Sequence, residues 1–190
     1  MIPVLPSAWP ARVTPPATAP VSLAEARQEL RVVWPEGSPE DARIEEMLAA
    51  AVAEFDGWQG LLGRALEAQT WEMGLARFAT PIVLAPGPVA SVTAITWRDA
   101  SGAVAVLAPE TYRLDARAVE ALVWPVADWP EAVAPGPGQD AVTLRWVAGT
   151  GCPPEARRAI LALVAHWYNG GVGVPGGVLE QVARLRRLSL

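Results

Sequence analysis

The sequence predicts an α+β fold in which an antiparallel or mixed β portion is inserted between helices. Two long segments, residues 39–62 and 154–168, repeat apolar side chains at the three-to-four spacing of one helix face. Between them, residues 68–148 break into short β-type runs separated by turn residues, with no helical pattern intervening. At 190 residues, with 52% hydrophobic and 18% charged side chains, the chain is long enough and apolar enough for a globular domain with a sizeable core.

Residues 1–20 hold six prolines and read as an extended, poorly packed arm. The stretch has no basic start and argues against a signal peptide. A short helix is expected over 22–33, with Ser22 as N-cap, Glu25 at capping-box spacing, and Leu23, Ala26 and Leu30 as its buried stripe. The second helix, 39–62, is the best marked. Ser38 stands at its cap, Pro39 in its first turn, and Glu40 and Asp41 lie on the positive end of the dipole. Its face is Ile44, Met47, Leu48, Ala51, Val52 and Phe55.

The β portion begins with "QTWEMGLARF" and ends with "AVTLRWVAG". Within it "RDASG" reads as a hairpin turn, and "WPEAVAPGPGQD" (129–140) as a loop too rich in Pro and Gly for regular structure. Pro153 and Pro154 open the helix 154–168, with Ile160, Leu163, Val164 and Trp167 on its apolar face. "GGVGVPGG" (170–177) reads as a flexible hinge. The last segment, 178–190, reads as a short amphipathic helix with Val178, Val182 and Leu185 on one side.

Chemistry is poorly provided for. The single Cys152 and single His166 lie at opposite ends of one helix, about 20 Å apart at 1.5 Å per residue, so they cannot form a thiol–imidazole pair within one subunit. A helix N-terminus would lower the Cys152 thiol pKa, so mild reactivity is the most expected of it. The acidic pairs Glu40–Asp41 and Glu45–Glu46 belong to a solvated helix surface. No phosphate loop, dinucleotide fingerprint, zinc-protease, nucleophile-elbow or calcium-loop pattern occurs. No enzyme, cofactor or metal site is expected, and one cysteine implies a reducing cytoplasm as the place of synthesis. No apolar run approaches the roughly 18–20 residues of a membrane span. The net charge of −5 disfavours general affinity for nucleic acid, and all 15 basic residues are arginine. Nine tryptophans are many for this length and suggest a small core padded by large rings, or extensive interfaces anchored by Trp.

The order of these parts resembles the head–tail connector (adaptor, or head-completion) proteins of long-tailed phages and phage-like gene transfer agents. The similar stretches run from "VSLAEARQELRV" and "EDARIEEMLAAAVAEFDGW" through "GRALEAQTWEMGLARF" to "PPEARRAILALVAHWY", about residues 21–170. That resemblance implies a small helical bundle, two long helices plus short terminal ones, with the β portion of 68–148 inserted. It implies a connector domain over 21–170, flanked by the arm 1–20 and by a hinge and C-terminal docking segment over 171–190. It also implies a virion structural protein: a homo-oligomeric ring, typically of twelve subunits, beneath the portal protein and above the stopper. DNA would pass through its channel without specific binding. The docking side chains toward the portal would be Val182, Arg184, Leu185, Arg186, Arg187 and Leu188.

Three alternatives stand beside this reading. One is another neck protein, a stopper or tail-completion ring. A second is a Trp-rich module that stacks a ligand such as a sugar on exposed rings. The third is a small hydrolase that joins Cys152 and His166 across subunits.

Overall fold

The computed structural model describes residues 9–117, 120–134, 136 and 139–186. Their elements run β1 (Ala11–Thr14), α1 (Leu23–Glu29), α2 (Pro39–Phe55), β2 (Gln69–Leu75), β3 (Ile82–Leu84), β4 (Val89–Arg98) and β5 (Val104–Val106). Then follow β6 (Tyr112–Asp115), β7 (Ala121–Pro125), β8 (Val142–Ala148), α3 (Pro154–Tyr168) and α4 (Gly176–Val182). They divide into a helical unit, residues 18–67 and 151–186, and a β unit, the described residues of 9–17 and 68–150.

In the helical unit α1 starts where a capping box places it. Glu25 N–H donates to Ser22 Oγ at 3.2 Å, and Ser22 N–H donates to the Glu25 carboxylate at 2.9 Å. The helix stops at Leu30 because Arg31 takes φ 54°, a left-handed conformation that ends the i→i−4 ladder, short of the expected residue 33. α2 begins after Ser38 with Pro39 in its first turn, but Ser38 makes no side-chain cap. Asp41 instead accepts the Gly37 N–H at 2.8 Å and pairs with Arg27 of α1, which also donates to the Trp34 carbonyl.

α2 ends at Phe55, short of the expected residue 62. Asp56 turns the chain, its carboxylate accepting the Leu66 N–H at 2.8 Å. Leu62 and Leu66 are then buried from irregular backbone, so the apolar pattern continues after the helix has stopped. Ile44, Leu48, Ala51 and Phe55 of α2 meet Ala156, Ile160, Leu163 and Val164 of α3 in one core, which Val178 and Val182 of α4 complete.

Burial alone would raise the Asp41 carboxyl pKa; the Gly37 amide and the Arg27 guanidinium outweigh it and hold the value below the ordinary one. Such a group contributes stability above the unfolded value of about 4 and loses it as pH falls through the lower folded value. Urea unfolding compared at pH 7 and near pH 3 is expected to show Asp41→Asn less stable than the parent at pH 7. The variant should also have a shallower loss on acidification. Identical pH slopes would contradict the assignment.

The β unit contains two antiparallel sheets. The larger has the order β1-β2-β8-β4-β5, so its centre is built from strands distant in sequence. Trp71 pairs with Trp146, Met73 with Leu144, and Leu144 with Ile95, placing one face of alternate residues in a buried layer. The opposite face carries Thr70, Glu72, Thr96, Thr143 and Arg145, where Arg145 and Glu72 pair at 2.6 Å. The smaller sheet has the order β3-β7-β6 and buries Ile82, Leu84, Ala121 and Val123. The Asp99–Ala103 turn joins β4 to β5, with Asp99 N–H donating to the Ala103 carbonyl at 3.0 Å. The Pro- and Gly-rich segment after β7 is anchored by Trp129. Its ring stacks on Phe78 at 4.8 Å and its indole N–H donates to the Ala79 carbonyl at 2.8 Å.

This architecture corrects the expectation of a small bundle of two long helices with an inserted sheet. The described residues form eight strands in two antiparallel sheets and four α-helices, two of them only seven residues long, and strands dominate the organisation. The physical reason is that the β portion is no appendage: it buries its own layer around Trp71, Leu144 and Trp146. Ala11–Thr14, inside the stretch read as an extended arm, forms an edge strand of that sheet.

Candidate functional site

Cys152 and His166 are positioned by opposite ends of α3, and neither is set up for chemistry. Cys152 precedes Pro153 and Pro154, which have no amide hydrogens, so the helix start offers fewer N–H groups there to stabilise a thiolate. Burial pushes the thiol pKa up to about 11; Arg157 and Arg64 oppose the shift and the Glu67 and Asp56 carboxylates add to it. The expectation of a lowered thiol pKa is therefore reversed, because desolvation outweighs the helix terminus. Cys152 N–H donates to Glu67 Oε1 at 3.0 Å, which ties the loop before α3 to the segment after α2.

His166 has its Nε2 3.2 Å from the Val172 carbonyl, and Trp167 donates its indole N–H to the Gly173 carbonyl at 2.8 Å. Gly171 lies against the imidazole, where an added Cβ would come within 2.2 Å of the ring. The segment read as a hinge is thus tied back onto the last turn of α3. Among the described residues, no group of three or more His, Cys, Asp or Glu side chains is placed to hold a metal ion. No described helix is long and apolar enough to cross a membrane.

A groove of about 530 Å³ lies on the smaller sheet, lined by Arg113, Leu114, Asp115, Ala116, Arg117, Trp124 and Pro125. Within it Arg117 grips Asp115 at 2.6 and 2.8 Å and holds the Asp115 carboxyl pKa at about 2. Such a groove has no base and nucleophile in partnership. Of the tryptophans, Trp71 and Trp146 are core, whereas Trp9 and Trp124 are exposed.

The C-terminal residues singled out by the resemblance separate into two roles. Val182 is fully buried and Leu185 packs against the same helical core, so the apolar side of this segment is covered by its own chain. Arg184 and Arg186 are exposed. Arg187 and Leu188 lie outside the described residues. The sequence showed the amphipathic spacing here; which surface the apolar side would meet depended on α3, distant in space until the fold is formed.

Solved structures of similar fold come from gene transfer agent particles. A chain in the virion of a native gene transfer agent particle superposes with a TM-score of 0.76 at 24% identity, over 96% of this chain and 97% of that one. A chain in the neck of an empty particle, computed with C6 symmetry, gives 0.78 at 24% identity over the same shares. A chain in the neck of a native particle, computed with C12 symmetry, gives 0.72, again at 24% identity over 96% and 97%. The chain has the fold of these particle proteins. No protein-family model matches it, and no curated protein does. The likeness extends over both units and nearly end to end.

Proposed function

We propose that this protein is a structural component of a particle neck: a head–tail connector, or adaptor, working as a homo-oligomeric ring between the portal and the stopper. It would extend the channel through which DNA leaves a phage-like or gene transfer agent particle, and it would make and break no bonds. The observation that carries this reading is the end-to-end fold match to chains of particle necks. The C12 symmetry of one of those necks supports a twelve-subunit ring, in which each subunit offers two different flanks to its neighbours. A net charge of −5 suits a conduit, since like charge keeps DNA from adhering to a wall.

Within the same neck, a stopper or tail-completion ring is the second reading, favoured by the C6 symmetry of the other neck structure. Quantitative mass spectrometry of purified particles tests both. The connector reading expects twelve copies per particle, matching the portal, as the C12 neck suggests. Six copies would support the stopper, following the C6 neck, and absence from particles would refute a neck role altogether.

In this reading Arg184 and Arg186, with Arg187 and Leu188 beyond them, form the portal-docking end, while Val182 and Leu185 serve the subunit's own core. Two truncations separate these roles. Ending the chain after Leu185 is expected to leave the thermal midpoint unchanged and to weaken retention on the portal. Ending it after Gly177 removes the buried Val178 and Val182 and is expected to destabilise the helical unit, by about 1–3 kcal/mol for each buried valine lost. Full retention of the shorter deletion on portal-bearing heads would remove the docking role of Arg186 and the residues after it.

A further inference from the structure

The five-stranded sheet ends in two exposed edges of different character. At one end is β5, Val104-Ala105-Val106, with Val104 57% and Val106 72% exposed. It is short, three residues, but has no charge, no proline and no bulge, three of the devices that protect an edge from pairing. At the other end is β1, whose four residues are all exposed and which carries a bulge between Arg12 and Thr14. Among the described residues, no strand lies against the outer side of either edge.

The senses of these strands follow from the topology. Each step across β1-β2-β8-β4-β5 is antiparallel, and four such steps return the original direction. β1 and β5 therefore run the same way. Rotation about an axis along the strands preserves that sense, so one copy's β5 can lie parallel to the next copy's β1. A two-fold axis would instead set β5 against β5, antiparallel. The bulge discourages β1 from pairing with a second β1, since two bulges would then have to share one ladder.

We propose that neighbouring subunits join edge to edge, β5 of one adding to β1 of the next in a parallel ladder, so that the five-stranded sheets form one continuous band around the ring. This rests on the neck-ring reading above. The valines of β5 share a face with Thr96 and Arg98, and on β1 that same face is occupied by Ala11 and Thr14 through their pairing with Glu72 and Thr70. Closure into a ring would cover both edges of the five-stranded sheet, which a free subunit leaves open.

Cysteine cross-linking in assembled particles tests the arrangement. On a Cys152→Ser background, Val104→Cys or Val106→Cys is combined with Ala11→Cys or Thr14→Cys, and purified particles are oxidised and run on non-reducing gels. All these sites are exposed, and an unchanged thermal midpoint of each variant confirms its fold. At least one double variant is expected to give a ladder of covalent multimers beyond the dimer, with no ladder from the single variants. Dimers from Val104→Cys or Val106→Cys alone would reveal a two-fold contact and overturn the proposal. So would a mixed adduct with another particle protein, or the absence of any ladder in particles that contain the chain. If the unmodified chain is missing from particles, the neck reading fails and the proposal with it; a chain present but never laddered leaves the neck reading intact and sinks the edge pairing alone.

Discussion

Particles produced without this protein are expected to have DNA-filled or leaking heads and no attached tails, and DNA transfer by them is expected to fall to background. Under the proposed function the effect would be all-or-none, because a connector would supply a surface, not a rate. A tail that recognises a ring of repeated patches has nothing to bind when the ring is missing, and multivalent attachment is lost as a whole instead of being weakened in steps. Under the same reading tails should still assemble separately, since the ring would belong to the head side of the junction. Negative-stain microscopy of the lysate distinguishes the outcomes. Tailed particles of normal appearance would contradict the connector role.

Trp146→Ala carries the largest expected loss of stability. Trp146 is fully buried in β8, the central strand of the larger sheet, where it faces Trp71 across β2 and donates its indole N–H to the Pro86 carbonyl at 3.2 Å. Truncating a buried tryptophan to alanine costs about 3–5 kcal/mol through lost transfer energy and the cavity left behind. Losing the hydrogen bond adds about 1 kcal/mol. Against a total of roughly 5–15 kcal/mol, the β unit would be marginal at best. Trp146→Phe keeps most of the ring volume and loses the donor, so it should cost distinctly less. Urea unfolding gives the size of the effect, and hydrogen exchange at the β2 and β8 amides locates it. Unchanged protection of those strands in Trp146→Ala would contradict the placement of this side chain at the centre of the sheet.

How far the fold could be read from the sequence depended on whether the signal was local. The capping box at Ser22 and Glu25, the proline-opened starts of α2 and α3, and the Asp99–Ala103 turn all rest on residues within a few positions of one another. The structure forms each of them. The end of α2 was hidden because Leu62 continues the apolar spacing from a loop, the chain having already turned at Asp56.

β1 was hidden for the opposite reason. As an edge strand with every residue exposed it shows no alternation of apolar and polar residues, and the prolines around it suggest an arm. The sheet order brings residues near 12, 71, 95 and 145 together, a non-local pairing that no window of sequence contains. The C-terminal segment shows the same division. Its amphipathic spacing was legible, but not that α3 and the core around it would claim the apolar side.

The separation of Cys152 and His166 within one subunit was also legible, since they sit at opposite ends of one helix whatever the rest of the chain does. What the sequence could not supply was the protonation of the thiol. Local context suggested a lowered pKa, whereas burial raises it and the charges of carboxylates distant in sequence, Glu67 and Asp56, add to the rise.

The most direct measurement is a cryo-electron microscopy reconstruction of the native particle, focused on the vertex through which the genome leaves. This account predicts a closed ring of this fold immediately below the portal and above the remaining neck proteins, its channel continuous with the portal's. Finding the chain in the capsid shell, along the tail or at its tip, or nowhere in the particle would contradict it.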